Sequence, residues 1–181
     1  MKLFRTFAPL IIGAFILAGC SSGSSNNPAG SGGSSAATTL PPPVAATGTS
    51  AFNTVFPACC AALGTFSTDI GKLQTDQTAI NKGGNTAAMV SDLNAMKADI
   101  ATSVGQLTTA ITSLSPSDSA VAPMNKLLQD LHKTDNATNA MLTDCATTYE
   151  DACNNDVGPM STAVNSYSTD GTAVANLQSN G

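Results

Sequence analysis

From Phe52 onward, apolar side chains recur at alternating steps of four and three: Phe52, Phe56, Cys59, Leu63, Phe66, Ile70 and Leu73, then Ile80, with Gln77 the one polar interruption. A seven-residue repeat held this long keeps one face of an α-helix apolar. It cannot belong to a strand, whose faces alternate every second residue. A single narrow stripe must be buried against partners, and the chain supplies them. A second stripe runs Met89, Leu93, Met96, Ile100, Leu107, Ile111 and Leu114, with Val104 beside it. The third is Val121, Met124, Leu128 and Leu131, then Leu142, Cys145 and Tyr149, with Asp135 and Thr138 at the positions between. A fourth, shorter stripe holds Val157, Met160, Val164, Tyr167, Gly171, Val174 and Leu177. No segment alternates with period two over a useful length. The expectation over 51–181 is an all-α fold, an antiparallel bundle of about four amphipathic helices.

The helix limits follow from local chemistry. Thr54 is an N-cap candidate that places Pro57 in the first turn, where its missing N–H costs least. Lys82-Gly83-Gly84-Asn85 closes the first helix with a cation and then residues that accept a left-handed backbone. Ser115-Pro116 ends the second helix. Asp156 caps the fourth, with Pro159 in its first turn. Threonine is abundant and a weak helix former, so packing and covalent links are expected to hold the helices together.

Ahead of the helical region the composition changes. Residues Ser21 to Ser50 carry no charge and are almost entirely Ser, Gly, Ala, Asn, Thr and Pro. Such a stretch cannot bury enough surface to offset the entropy of ordering, so a disordered tether is expected across 20–50. A coil of that length spans roughly 30 Å on average. The run Pro41-Pro42-Pro43 reads as a stiff spacer within it.

The first residues have the layout of an export signal. Lys2 and Arg5 precede an apolar run from Phe7 to Leu17, and Gly19 is the small residue at a cleavage point. The run is too short to span a bilayer as a helix. Leu17-Ala18-Gly19-Cys20 resembles the lipobox of bacterial lipoproteins. That resemblance implies removal of residues 1–19 and acylation of Cys20, with palmitate among the attached chains, so that the membrane partner is engaged through an N-terminal lipid anchor. Ser21 follows the cysteine, where an Asp would be the inner-membrane retention signal. The implied location is the cell envelope: the outer membrane in a two-membrane organism, the outer face of the plasma membrane otherwise.

Without its leader the chain holds five lysines, no arginine and twelve acidic groups, a net charge of −7. Nucleic-acid binding needs clustered cations and is not expected. Docking on anionic lipid heads is disfavoured for the same reason, which leaves attachment to the acyl chains.

With Cys20 acylated, Cys59, Cys60, Cys145 and Cys153 form an even set in an exported chain and are disulfide candidates. Vicinal strain disfavours a Cys59–Cys60 bond. The expectation is therefore that both pair with Cys145 and Cys153, stapling the first helix to the third segment. An up-down-up-down bundle would hold Cys59 and Cys145 about 40 Å apart. The favoured resolution is that segment three breaks and reverses within Lys133–Asn139; an overhand connection through residues 115–123, or thiols that stay partly free, are the alternatives.

No cofactor or metal is expected. Adjacent cysteines with a Cys-x7-Cys do not match a zinc site. Met89, Met96, Met124, Met141 and Met160 read as core filler, with a soft Cu(I) site as the alternative. His132, the only histidine, lies near Asp130, Asp135 and Asn136 but lacks a nucleophile or a recognisable catalytic motif. No catalytic residue is assigned. Asp69, Asp76, Asp92, Asp99, Asp130, Asp144 and Asp151 fall off the stripes and read as solvated faces. Glu150-Asp151, near Asp144 and Asp156, is the densest acidic patch and lacks a calcium-loop glycine. The functional expectation is a non-enzymatic, lipid-anchored envelope protein that binds or spaces an envelope partner. The alternative is a small-ligand or metal-binding bundle using Gln77, Asp135 and Thr138 or the methionines, and third comes a hydrolase working through His132.

Overall fold

The computed structural model describes residues 50–83, 85–146 and 150–179, without the side chains of 58–63, 150, 151, 178 and 179. The leader, Cys20 and the tether through residue 49 lie outside the described residues. Among the described residues five helices follow in order: α1 Ser50–Asn81, α2 Ala87–Thr112, α3 Val121–Cys145, α4 Glu150–Asn155 and α5 Val157–Ser179. The four long ones run up, down, up and down, and α4 is a single short turn element before the last. The all-α bundle expected from the stripes is what the chain forms.

The stripes are the core. Phe52, Phe56, Phe66, Ile70 and Leu73 of α1 are buried against Leu93, Met96, Ile100 and Leu107 of α2. Met124, Leu127, Leu131 and Met141 of α3 meet Met160, Val164, Tyr167 and Val174 of α5. The strongest packing is within the hairpins α1–α2 and α3–α5, and α2 against α3 joins them. Each α1–α2 and α3–α5 pair is antiparallel because a short connection leaves no other direction.

The turn between α1 and α2 forms as its residues dictate. Lys82 N–H donates to the Ala79 carbonyl and Gly83 N–H to that of Ile80, and Gly83 takes φ +91°. Only glycine reaches that conformation without a Cβ penalty. The side-chain Oδ1 of Asn85 then accepts from the Ala87 N–H, at 3.0 Å, to start α2. At the start of α3, the Asp118 carboxylate accepts from the Ala120 N–H at 2.9 Å.

Three expectations are corrected. Helix α1 begins at Ser50, so Thr54 lies inside it with its hydroxyl on the Ser50 carbonyl, and Pro57 is an interior residue. Helix α3 runs unbroken through Lys133–Asn139. Its polar stretch stays helical, and Thr134 and Thr138, both fully buried, satisfy their hydroxyls on the carbonyls of Asp130 and Thr134. The buried face of α3 accordingly steps Met124, Leu127, Leu131, Thr134, Thr138, Met141 and Cys145, whereas Leu128 and Leu142 are half-buried at its edge.

The third correction is the disulfide. Cys145 bonds to Cys153, eight residues on, and ties the end of α3 to α4. Neither cysteine is therefore open to Cys59 or Cys60, which lie in α1 with side chains outside the described set. An unbroken α3 spans about 37 Å. It carries Cys145 to the end of the bundle where α2 begins, far from the start of α1. The bond does not staple the long helices to one another; packing holds them.

Candidate functional site: paired carboxyl groups along the helix seams

In heptad terms the buried stripes occupy positions a and d, and the residue just before each a is a g position. Asp69 and Asp76 of α1 are both g residues, one heptad apart, and so are Asp92 and Asp99 of α2. Across an antiparallel hairpin the g rows face each other, and flanking positions are where interhelical charges meet. Asp99 comes within hydrogen-bonding reach of Asp69, and Asp92 of Asp76. The second hairpin repeats the arrangement. Asp130 and Asp144, two heptads apart on α3, meet Asp170 and Asp156 of α5. Eight of the twelve acidic residues thus stand in four carboxyl pairs, two on each seam. The expectation of solvated faces is corrected for Asp69 and Asp130, each 1% exposed; Asp170, on which the sequence carried no expectation, is buried as well.

Cations attend some pairs and not others. Lys72 donates to Asp69 Oδ1 at 2.9 Å, three residues back on the same helix. Lys133 donates to Asp130 Oδ1 in the same relation on α3, and Lys126 crosses to Asp170 Oδ1 at 2.9 Å. The second oxygens fare differently. Oδ2 of Asp69, Asp76, Asp130 and Asp156 is buried with no hydrogen-bond donor on it. Asp69 and Asp130 each hold a lysine on Oδ1, whereas the charged group beside Asp76 is Asp92 and that beside Asp156 is Asp144, and a carboxyl donates only when it holds a proton.

The titration directions follow. Burial, then the hydrogen bond to Asp92 and its charge, raises Asp76 above the ordinary carboxylate range. Asp99 is raised by its hydrogen bond to Asp69, by burial and by the charge of Asp69, against a smaller pull from Lys72. Burial and Asp144 raise Asp156. Asp170 goes the other way: burial pushes it up, but Lys126, the Asp130 carboxyl and Lys133 together hold it below the ordinary range.

The remaining candidates do not converge. Cys145 and Cys153 are buried as a disulfide, and Met89 Sδ packs 3.8 Å from each of their sulfurs. Met96, Met124, Met141 and Met160 fill the core. His132 is exposed, Asp130 is taken by Lys133, and Asp135 accepts from Asn139 at 3.2 Å. Thr138 spends its hydroxyl within α3, while Gln77 is buried in α1 with Nε2 lacking an acceptor. Among the described residues no group of three or more His, Cys, Asp or Glu side chains is placed to hold a metal. Small residues along α2, among them the exposed Ala101 and Gly105 and the buried Ala110, leave an open apolar groove of about 430 Å³ beside Val55 of α1.

Comparison with known proteins finds no matching family model, no matching curated protein and no matching solved structure. Among the described residues no helix is long and apolar enough to cross a membrane. The g-row pairing was only half visible in the sequence. The seven-residue spacing of Asp69/Asp76 and Asp92/Asp99 is plain there, but which rows face each other is not.

Proposed function

We propose that the chain is a lipid-anchored protein of the cell envelope whose helical domain is held away from the bilayer and acts by binding or spacing, without catalysis. One observation carries the reading: Leu17-Ala18-Gly19-Cys20 closes a basic-then-apolar leader, and an uncharged Ser/Gly/Pro stretch separates that cysteine from the bundle. Acylation at Cys20 would supply the membrane affinity that a net-acidic chain cannot draw from lipid head groups. The partner on this reading is an envelope protein. Metabolic labelling with an alkyne-tagged palmitate tests the anchor. Wild-type protein is expected to label and to fractionate with membranes, and Cys20→Ala to lose both properties. A wild-type protein cleaved but unlabelled would overturn the reading.

The groove beside Val55 favours a second reading, in which the bundle takes a small apolar ligand. Native mass spectrometry of the purified protein separates the two: a retained small molecule supports the second, a co-purifying envelope protein the first.

A further inference from the structure

Among the described sulfurs one trio comes together. Met89, in the first turn of α2, packs its Sδ 3.8 Å from the Sγ of Cys145 at the end of α3 and 3.8 Å from that of Cys153 in α4. Three elements of the bundle thus deliver one sulfur each, and all three residues are at most 2% exposed. The thioether stands equidistant from two cysteines that are bonded to each other. A metal–thiolate bond of about 2.3 Å in planar trigonal geometry sets donor sulfurs about 4 Å apart. Both edges that run to Met89 already have that spacing. The third edge is the covalent S–S bond, and reduction is what opens it.

We propose that Met89, Cys145 and Cys153 form a soft-metal site, which takes one Cu(I) when the disulfide is reduced and is shut when it is oxidised. A dithiol reductant passes two electrons and two protons to the bond, giving two thiols, and is itself oxidised to a disulfide. Local opening of α4, six residues long, admits reductant and ion. Turning the two Cα–Cβ bonds moves the Sγ atoms apart. Cu(I) then displaces both thiol protons and is held by two thiolates and one neutral thioether, a complex with a single net negative charge.

The donor set selects the ion. Thiolate and thioether sulfurs suit Cu(I), whereas a structural zinc site wants four ligands drawn from Cys, His and carboxylate. Among the described residues no group of three or more His, Cys, Asp or Glu side chains is placed to hold a metal, so the third ligand offered is a thioether. The surroundings favour the charge and the oxidation state. Met89 lies at the N-terminal end of a 26-residue helix, where unpaired N–H groups stabilise an anion beside them. The three sulfurs belong to the hydrophobic core, and burial keeps water and oxygen donors off the ion. The site goes beyond the anchoring role and does not rest on it, since all three ligands lie within the bundle.

The test uses the full-length chain in detergent with Cys20→Ala, Cys59→Ala and Cys60→Ala, which leaves Cys145 and Cys153 as its thiols. Cu(I) is supplied without oxygen, in competition with a coloured Cu(I) chelator, to the oxidised chain and to the chain reduced with a dithiol and desalted. The reduced chain is expected to take one Cu(I) per molecule and the oxidised chain none. Met89→Leu nearly conserves volume and should keep its helical circular dichroism. It should weaken Cu(I) binding about tenfold or more, because losing a ligand costs at least what losing an outer-shell partner does. X-ray absorption at the copper edge should show three sulfur neighbours in the reduced chain and two in Met89→Leu. In the chain with its native cysteines, Cu(I) should protect Cys145 and Cys153 from alkylation, a readout that does not need the triple variant to fold. Met89→Leu binding as tightly as its parent would overturn the proposal, as would equal uptake by the oxidised chain. A reduced chain that takes no Cu(I), or that loses its helices, would overturn it too.

Discussion

Phe66 of α1 stands edge-on to Tyr167 of α5, with ring centroids 4.6 Å apart and planes at 72°. This contact joins the first helix to the last, a seam with far less packing than either hairpin. Edge-to-face rings add about 0.5–1.5 kcal/mol beyond the area they bury. In a chain with no Trp, two Tyr and six Phe, it is a concentrated contribution to closing the bundle. Phe66→Ala is expected to cost about 3–5 kcal/mol, from lost burial and the cavity left at a fully buried site. Chemical denaturation measures it. A loss under about 1 kcal/mol would mean that α1 does not rest on α5.

The disulfide prediction concerns connectivity first. Non-reducing peptide mapping should recover Cys145 linked to Cys153, and no peptide joining either to Cys59 or Cys60. A loop this short removes less chain entropy than the long loops expected from sequence, so reduction should cost about 2–3 kcal/mol at most. Its effect should centre on α4 and the junctions with α3 and α5. Hydrogen exchange after reduction should rise there and change little in the middle of α1 and α2.

Thr138 offers a test of how a polar residue sits in the core. It occupies an a position of α3, fully buried, with its hydroxyl on the Thr134 carbonyl at 2.8 Å. That carbonyl already accepts the helical N–H four residues on, and back-bonding of this kind slightly destabilises a helix. Thr138→Val is therefore expected to stabilise the bundle by up to ~1 kcal/mol, because a methyl replaces a hydroxyl in an apolar site. A loss of more than about 1 kcal/mol would show that the hydroxyl has a partner beyond its own helix.

The surface threonines explain why so many poor helix formers are tolerated. Thr68, Thr75, Thr102, Thr109, Thr162 and Thr172 each donate to the carbonyl four residues back. Their hydroxyls are satisfied within the helix, at the small cost that such back-bonding carries. The sequence reading asked for covalent links to support weak helices. The long helices are supported by packing instead, and the covalent bond is confined to one corner.

What the sequence determined by itself is everything set by the local period. Most of the stripe residues of α1, α2 and α5 whose side chains are described emerge buried, with Ser103 and Ala110 taking the place of Ile111 on α2; Gly83 stops α1, and Asp156 stands directly before α5, because helix geometry alone assigns a residue to a face. Segment three was misread where the stripe turns polar, since the burial of Thr134 and Thr138 depends on neighbours that the period does not supply. Pairing between helices was beyond its reach for the same reason. Cys145 finds Cys153 because α3 continues to the far end of the bundle. Asp76 finds Asp92, and Asp144 finds Asp156, because two antiparallel helices settle in one axial register. That register is chosen by the summed packing of whole faces and by the turns that join them, and no single position along the chain encodes it.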